Sequence, residues 1–98
     1  MPSYRVALSV GTLRPGVPPD QLLPRAADSA AELTTVEARD VMVLRGEPQL
    51  VVRYTSPDDD VAVAIGAVVE ATVGDLADVR SGRVLRRDGG AWTLVAAV

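Results

Sequence analysis

The stretch Ser56-Pro57-Asp58-Asp59-Asp60-Val61-Ala62-Val63-Ala64-Ile65-Gly66-Ala67-Val68-Val69-Glu70-Ala71-Thr72-Val73-Gly74 decides the fold, because it reads in two ways. Residues 61–65 alternate as a strand does. Length, Ala content and a start signal favour a helix instead. Ser56 is placed to cap, Pro57 suits the first helical position, and the three acids complement the positive end of a helix dipole. The reading is a helix to about Val73, with Gly74 as its C-terminal cap.

Strands flank this helix on both sides. Upstream, residues 35–55 read as a hairpin. Its first strand ends in Val41-Met42-Val43-Leu44, Gly46-Glu47-Pro48 supplies the turn, and the second strand alternates Leu50, Val52 and Tyr54 against Val51, Arg53 and Thr55. Before the hairpin, Leu22, Leu23, Ala26, Ala27, Ala30 and Leu33 recur at helical spacing, and Pro24 confines the helix start to its neighbourhood. Residues 4–10 alternate Tyr4, Val6, Leu8 and Val10 against Arg5, Ala7 and Ser9, which reads as a half-buried strand, and residues 11–19 read as a loop. Downstream, strands over 79–87 and 91–98 are joined by Asp88-Gly89-Gly90.

The order βαββαββ predicts a single α+β domain over residues 1–98. Its first six elements form the ferredoxin-like βαββαβ arrangement: an antiparallel sheet with two helices on one face and the first and third strands adjacent at its centre. The additional C-terminal strand extends the sheet or closes a terminal hairpin. The order resembles the ferredoxin-like superfold, and more loosely the small-ligand regulatory domains built on it. That resemblance implies a fold and leaves the function open, because the superfold serves many unrelated activities.

Composition narrows the chemistry. Lys, His, Cys, Asn and Phe are absent. Basic residues that are all Arg, with abundant Ala, Val, Gly and Pro, suggest a GC-rich bacterial genome. Without Cys there is no disulfide framework or thiolate site, and without His the usual zinc and copper sites are lost as well. Without Lys there is neither a Schiff base nor a P-loop lysine, and no Ser-His or Cys-His nucleophile pair can form. No cofactor and no metal site are expected. The net charge of −3 gives no overall attraction to phosphate backbones. The first residues lack the apolar core of a signal peptide, and the weakly charged run 61–73 is too short to span a bilayer. The expected location is the cytoplasm, with no membrane association.

Several residue groups are candidates for function. Alternation puts Arg5, Ala7, Ser9, Val51, Arg53 and Thr55 on the sheet face away from the helices, where Arg5 and Arg53 would share a surface able to bind a carboxylate or phosphate. The plain alternative is a solvated face with scattered Arg. RNA-recognition motifs stack bases on aromatics of this face, and those positions hold no aromatic here, so no nucleic acid is expected. In the helix over 61–73, Val61, Ala64, Ile65, Val68 and Thr72 are assigned to the core. Ala62, Gly66, Val69 and Val73 are then left near the edge or outside, as an interface with a protein partner or a second copy.

Other groups have simpler explanations. Asp58, Asp59 and Asp60 suit a helix start better than a hard cation. Gly11 and Gly16 bracket a strand-to-helix loop in which Val17 and Pro18 stand where a phosphate loop needs Lys and Ser or Thr. Arg80, Arg83, Arg86 and Arg87 read as charge protecting an edge strand, or as a dock for an acidic segment. Glu37, Asp40, Glu47, Glu70, Asp75 and Asp78 are free for acid-base work, with nothing to pair two of them. Tyr4 and Tyr54 read as core or rim, and Trp92 as the anchor of the last hairpin. The leading expectation is a small non-enzymatic accessory module that forms homo-oligomers or binds a larger protein. The alternatives are a regulatory domain binding an anionic metabolite, and an enzyme using Asp, Glu, Arg and Tyr.

Overall fold

The computed structural model describes residues 1–98. Strand β1 (Ser3–Leu13) leads through a 3₁₀ turn (Pro19–Gln21) into helix α1 (Leu22–Ala31). Strands β2 (Val36–Leu44) and β3 (Glu47–Thr55), helix α2 (Asp59–Gly74), and strands β4 (Ala77–Asp88) and β5 (Ala91–Ala97) complete the chain. All strand pairs are antiparallel, in the order β2-β3-β1-β4-β5. Both helices cover one face. This is the ferredoxin-like α+β arrangement, with β1 and β3 adjacent inside the sheet and β5 added at one edge as the partner of β4.

Alternation on β1 and β3 sorts side chains as the sequence implies. Tyr4, Val6, Leu8, Leu50, Val52 and Tyr54 lie on the helix side at 9 % exposure or less. They meet Leu22, Ala26, Ala27 and Ala30 of α1. Pro24 sits in the first turn of α1, where a missing N–H costs nothing.

Element ends differ from the sequence reading in four places. β1 runs on to Leu13, because register shifts opposite β4 at Ser9/Val10 and Val10/Leu13 let it bulge through Gly11 and keep pairing. The β2–β3 turn is Arg45-Gly46, with φ of 56° and 77°, so Glu47 and Pro48 already belong to β3. Two successive positive φ values suit the twist of a tight hairpin, and Gly adopts one without strain. α2 begins two residues later than Ser56-Pro57 suggests. Asp58 is its N-cap, with its carboxylate accepting from the Val61 amide at 2.9 Å, while Ser56 Oγ donates to the Asp58 carbonyl at 2.8 Å. Leu33 lies beyond α1 and is 53 % exposed.

The main correction concerns the orientation of α2. Ala62, Gly66, Val69 and Val73, expected at an outer interface, are the buried stripe; Ala62, Val69 and Val73 have no exposure. Val61 and Val68, expected in the core, are 40 % and 43 % exposed, and Ala64 is exposed too. Packing decides this. Gly66 rests directly over Val84, where even a Cβ would collide with Val84 Cγ2. The face with the smallest residues therefore brings the helix axis nearest the sheet, and Ile65, Val69 and Val73 interlock around it. Tyr54 Oη donates to the Ala62 carbonyl at 2.6 Å and fixes the seat.

β4 corrects a second expectation. It lies between β1 and β5, so its arginines do not guard an edge. Alternation divides them: Arg86 turns to the helix side, and Arg83 and Arg87 to the open side.

Candidate functional site

The open face of the sheet carries its own small core. Ala7, Val51 and Leu85 lie at its centre at 1–6 % exposure, with Met42, Leu44 and Trp92 packed against them. Long side chains do the covering, and their charged ends crowd one end of the face. Arg5 and Arg53 stand directly opposite each other in the β1–β3 register. Arg87 pairs with Trp92 across β4–β5. The indole reaches over the sheet so that Arg5 Cζ lies 4.5 Å from its centroid, and Arg53 and Arg87 Cζ each 5.4 Å. Three guanidinium groups thus surround one aromatic ring, an arrangement the ring's negative π face favours.

These charges are incompletely compensated. Arg53 is paired with Glu37, Nε to Oε1 at 3.3 Å, and Ser3 Oγ donates to the same carboxylate oxygen at 2.6 Å. No carboxylate lies within ion-pair distance of Arg5, Arg83 or Arg87. Arg87 Nε donates to the Gly89 carbonyl at 2.6 Å, and Arg5 Nε is shielded from solvent with no acceptor. Burial first, and then the charges of Arg83, Arg53 and Arg87, pull the Arg5 guanidinium below its ordinary pKa. Beside this cluster is a shallow depression of about 220 Å³. It runs across the sheet from Ala38, Asp40 and Met42 of β2, over Val51, to Arg5, Arg87 and Trp92.

The structure therefore brings together Arg5 and Arg53, which alternation identified, and adds Arg87 and Trp92, which it did not. The outward positions of β1 and β3 hold no aromatic, as alternation implies; the ring on this face comes from β5. The turn at Asp88-Gly89-Gly90 marks the β4–β5 hairpin in the sequence; its docking beside β1 creates the cluster, and no local signal marks that docking.

The remaining candidates have structural partners. Asp58 caps α2, and Asp60 is exposed. Asp59 accepts from Tyr4 Oη at 2.7 Å and from Arg86 Nη1 at 2.7 Å, while Arg86 also holds Asp88 at 3.0 Å. This network ties the start of α2 to β1 and β4. Burial first, then the Asp59 hydrogen bond, pushes the Tyr4 hydroxyl up to about 12. Asp59 and Asp88 are held below the ordinary carboxylate value by hydrogen bonds, chiefly from Tyr4 for Asp59 and from Arg86 for Asp88. Arg14, between Gly11 and Gly16, is committed to Asp78 at 2.7 Å and the Gly74 carbonyl at 3.0 Å. Glu47 accepts from Ser9 at 2.8 Å. No group of three or more carboxylates is placed to hold a metal ion. No helix is long and apolar enough to cross a membrane.

Element order, strand order and the one-sided helices define a ferredoxin-like α+β protein with an arginine-rich open face. No protein-family model matches the chain, and no curated protein matches it at a significant level. Among solved structures it is similar to a chlorite dismutase-like protein, with 18 % identity and a TM-score of 0.51 over 90 % of this chain and 45 % of the other. The chain thus spans about half the length of that structure. At this identity the likeness shows the shared fold alone.

Proposed function

We propose that this chain is a binding module whose open sheet face takes an organic anion, held by Arg5, Arg53 and Arg87 beside Trp92. The carrying observation is the directly opposed pair Arg5 and Arg53, with Arg83 and Arg87 nearby and Glu37 as the single paired carboxylate. Like charges opposite one another destabilise a sheet. A bound carboxylate or phosphate removes that repulsion and accepts bidentate hydrogen bonds. Two charge-assisted bonds contribute roughly 3–6 kcal/mol, enough for dissociation constants near millimolar or below. Catalysis is outside this reading.

Trp92 is the sole tryptophan and lies in the proposed site, so its fluorescence reports occupancy directly. Titration with sodium benzoate and with inorganic phosphate at constant ionic strength should change its emission and raise Tm. Arg5→Gln and Arg87→Gln should weaken the response about tenfold each, taking the low end of one charged hydrogen bond. Unchanged emission and Tm with every anion up to about 50 mM, a ligand level well above the expected constants, would sink the reading.

A second reading, self-association, is favoured by the outer face of α2. Val61, Ala64, Ala67, Val68 and Ala71 are exposed and uncharged. The expected result is a native-mass dimer that Val68→Asp dissociates; an unchanged mass for the variant removes this face from consideration.

A further inference from the structure

The shape and polarity of the depression narrow the ligand class within the anion-binding reading, on which this narrower assignment rests. We infer that the ligand is a small aromatic monocarboxylate, bound with its carboxylate toward Arg5 and Arg87 and the far edge of its ring toward Asp40.

Size is the first argument. A volume of about 220 Å³ corresponds to roughly seven waters at about 30 Å³ each. One six-membered ring with a carboxyl group fills it; a nucleotide or a long acyl chain would leave most of its surface in solvent. The second argument is composition. Ala38, Met42 and Val51 provide an apolar floor next to the guanidinium wall. A free oxyanion would use the wall and leave that floor in water, while a ring covers both. The third is polarity along the trough. The uncompensated cations Arg5 and Arg87 stand on β1 and β4, while Asp40 lines the β2 end. Arg39 borders that end too, but its register opposite Val52 turns it toward the helix side, whereas Asp40, opposite Val51, shares the open face. An anion therefore enters with its charge toward β1 and β4. A second negative group at the opposite end of the ring would lie beside Asp40 and be repelled. A hydroxyl or amino group there would donate to the Asp40 carboxylate, which otherwise accepts only from the Val41 amide, at 2.8 Å.

The test uses the whole chain and four probes: benzoate, 4-hydroxybenzoate, terephthalate and inorganic phosphate. Trp92 emission and calorimetry read each dissociation constant at fixed ionic strength. Benzoate should bind roughly tenfold more tightly than phosphate, from apolar cover of the floor. 4-Hydroxybenzoate should bind several-fold more tightly than benzoate, and terephthalate several-fold more weakly. Asp40→Asn, at an exposed position, should narrow the gap between benzoate and terephthalate and lower the preference for 4-hydroxybenzoate over benzoate. Phosphate binding as tightly as benzoate would overturn the aromatic class and leave the anion site standing. Terephthalate binding more tightly than benzoate, or an Asp40→Asn variant with an unaltered ranking, would overturn the orientation. Failure of all four probes would overturn the anion site itself.

Discussion

Gly66→Ala separates the two ways in which α2 can face. In the structure a Cβ at position 66 collides with Val84 Cγ2, with Tyr54 Oη at 3.5 Å and Val6 Cγ2 at 3.6 Å behind it. Val84 is β-branched and fully buried, so it has few rotamers in which to retreat. Overpacking of a close-packed core costs about 1–3 kcal/mol. Ala is better than Gly inside a helix by about 0.8–1.0 kcal/mol, which offsets part of that cost. The expected net loss is about 1 kcal/mol, or about 4–8 °C in Tm for a domain of this size. Had Gly66 faced outward, the same substitution would stabilise by about 1 kcal/mol. The sign therefore decides. Urea unfolding followed by circular dichroism gives it, provided the m value is unchanged. Repeating the substitution in a Val84→Ala background makes room for the new methyl, so there Gly66→Ala should turn neutral or stabilising. A stabilised single mutant, or an equal effect in both backgrounds, refutes the seating of α2 on its small-residue face.

Further predictions concern the same framework. Val69→Asp should abolish cooperative unfolding, because it buries an unpaired charge, whereas Val68→Asp at the neighbouring position should leave stability within about 0.5 kcal/mol; thermal melts of the two variants check this. Tyr54→Phe removes the bond to the Ala62 carbonyl and should cost about 1 kcal/mol, read by urea unfolding. Asp59 and Asp88 have depressed values in the folded state, so the unfolded chain takes up protons first as pH falls. Their contribution is complete above the ordinary value of 3.8 and is lost as pH drops through the depressed values, and Asp59→Asn should flatten that acid limb of a Tm-against-pH curve. Tyr4 works at the other limit. Its hydroxyl ionises near 10 when unfolded and near 12 when folded, so stability should fall as pH rises from 10 towards 12; Tyr54, also raised by burial, adds to that slope, so Tyr4→Phe should reduce it by about half.

Much of the fold was legible because it rests on short-range periodicity. The alternation of residues 4–10 and 50–55 identified two strands and assigned Arg5 and Arg53 to one face. Pairing β1 with β3 then placed the two directly opposite each other. The β2–β3 turn and the start of α2 moved for local reasons, whereas β1 continues past Gly11 because distant β4 tolerates a bulge there. The orientation of α2 had no mark in the sequence. A helix with a single charge between residues 61 and 73 shows no polar stripe, so its hydrophobic pattern names no inner side. Steric fit chose the side, through the absence of a Cβ at Gly66.

The candidate site divides along the same line. Period-two alternation depends only on neighbours along the chain, so the sequence alone determined that Arg5 and Arg53 point away from the helices. It likewise excluded thiol, imidazole and lysine chemistry. Tertiary structure decided how the last two strands dock beside β1, and that delivered Arg87 and Trp92 to the same spot and sent Arg86 to Asp59 on the other side. Strand neighbours are selected by the summed packing of the whole sheet against both helices. That sum has no counterpart in any local stretch of sequence.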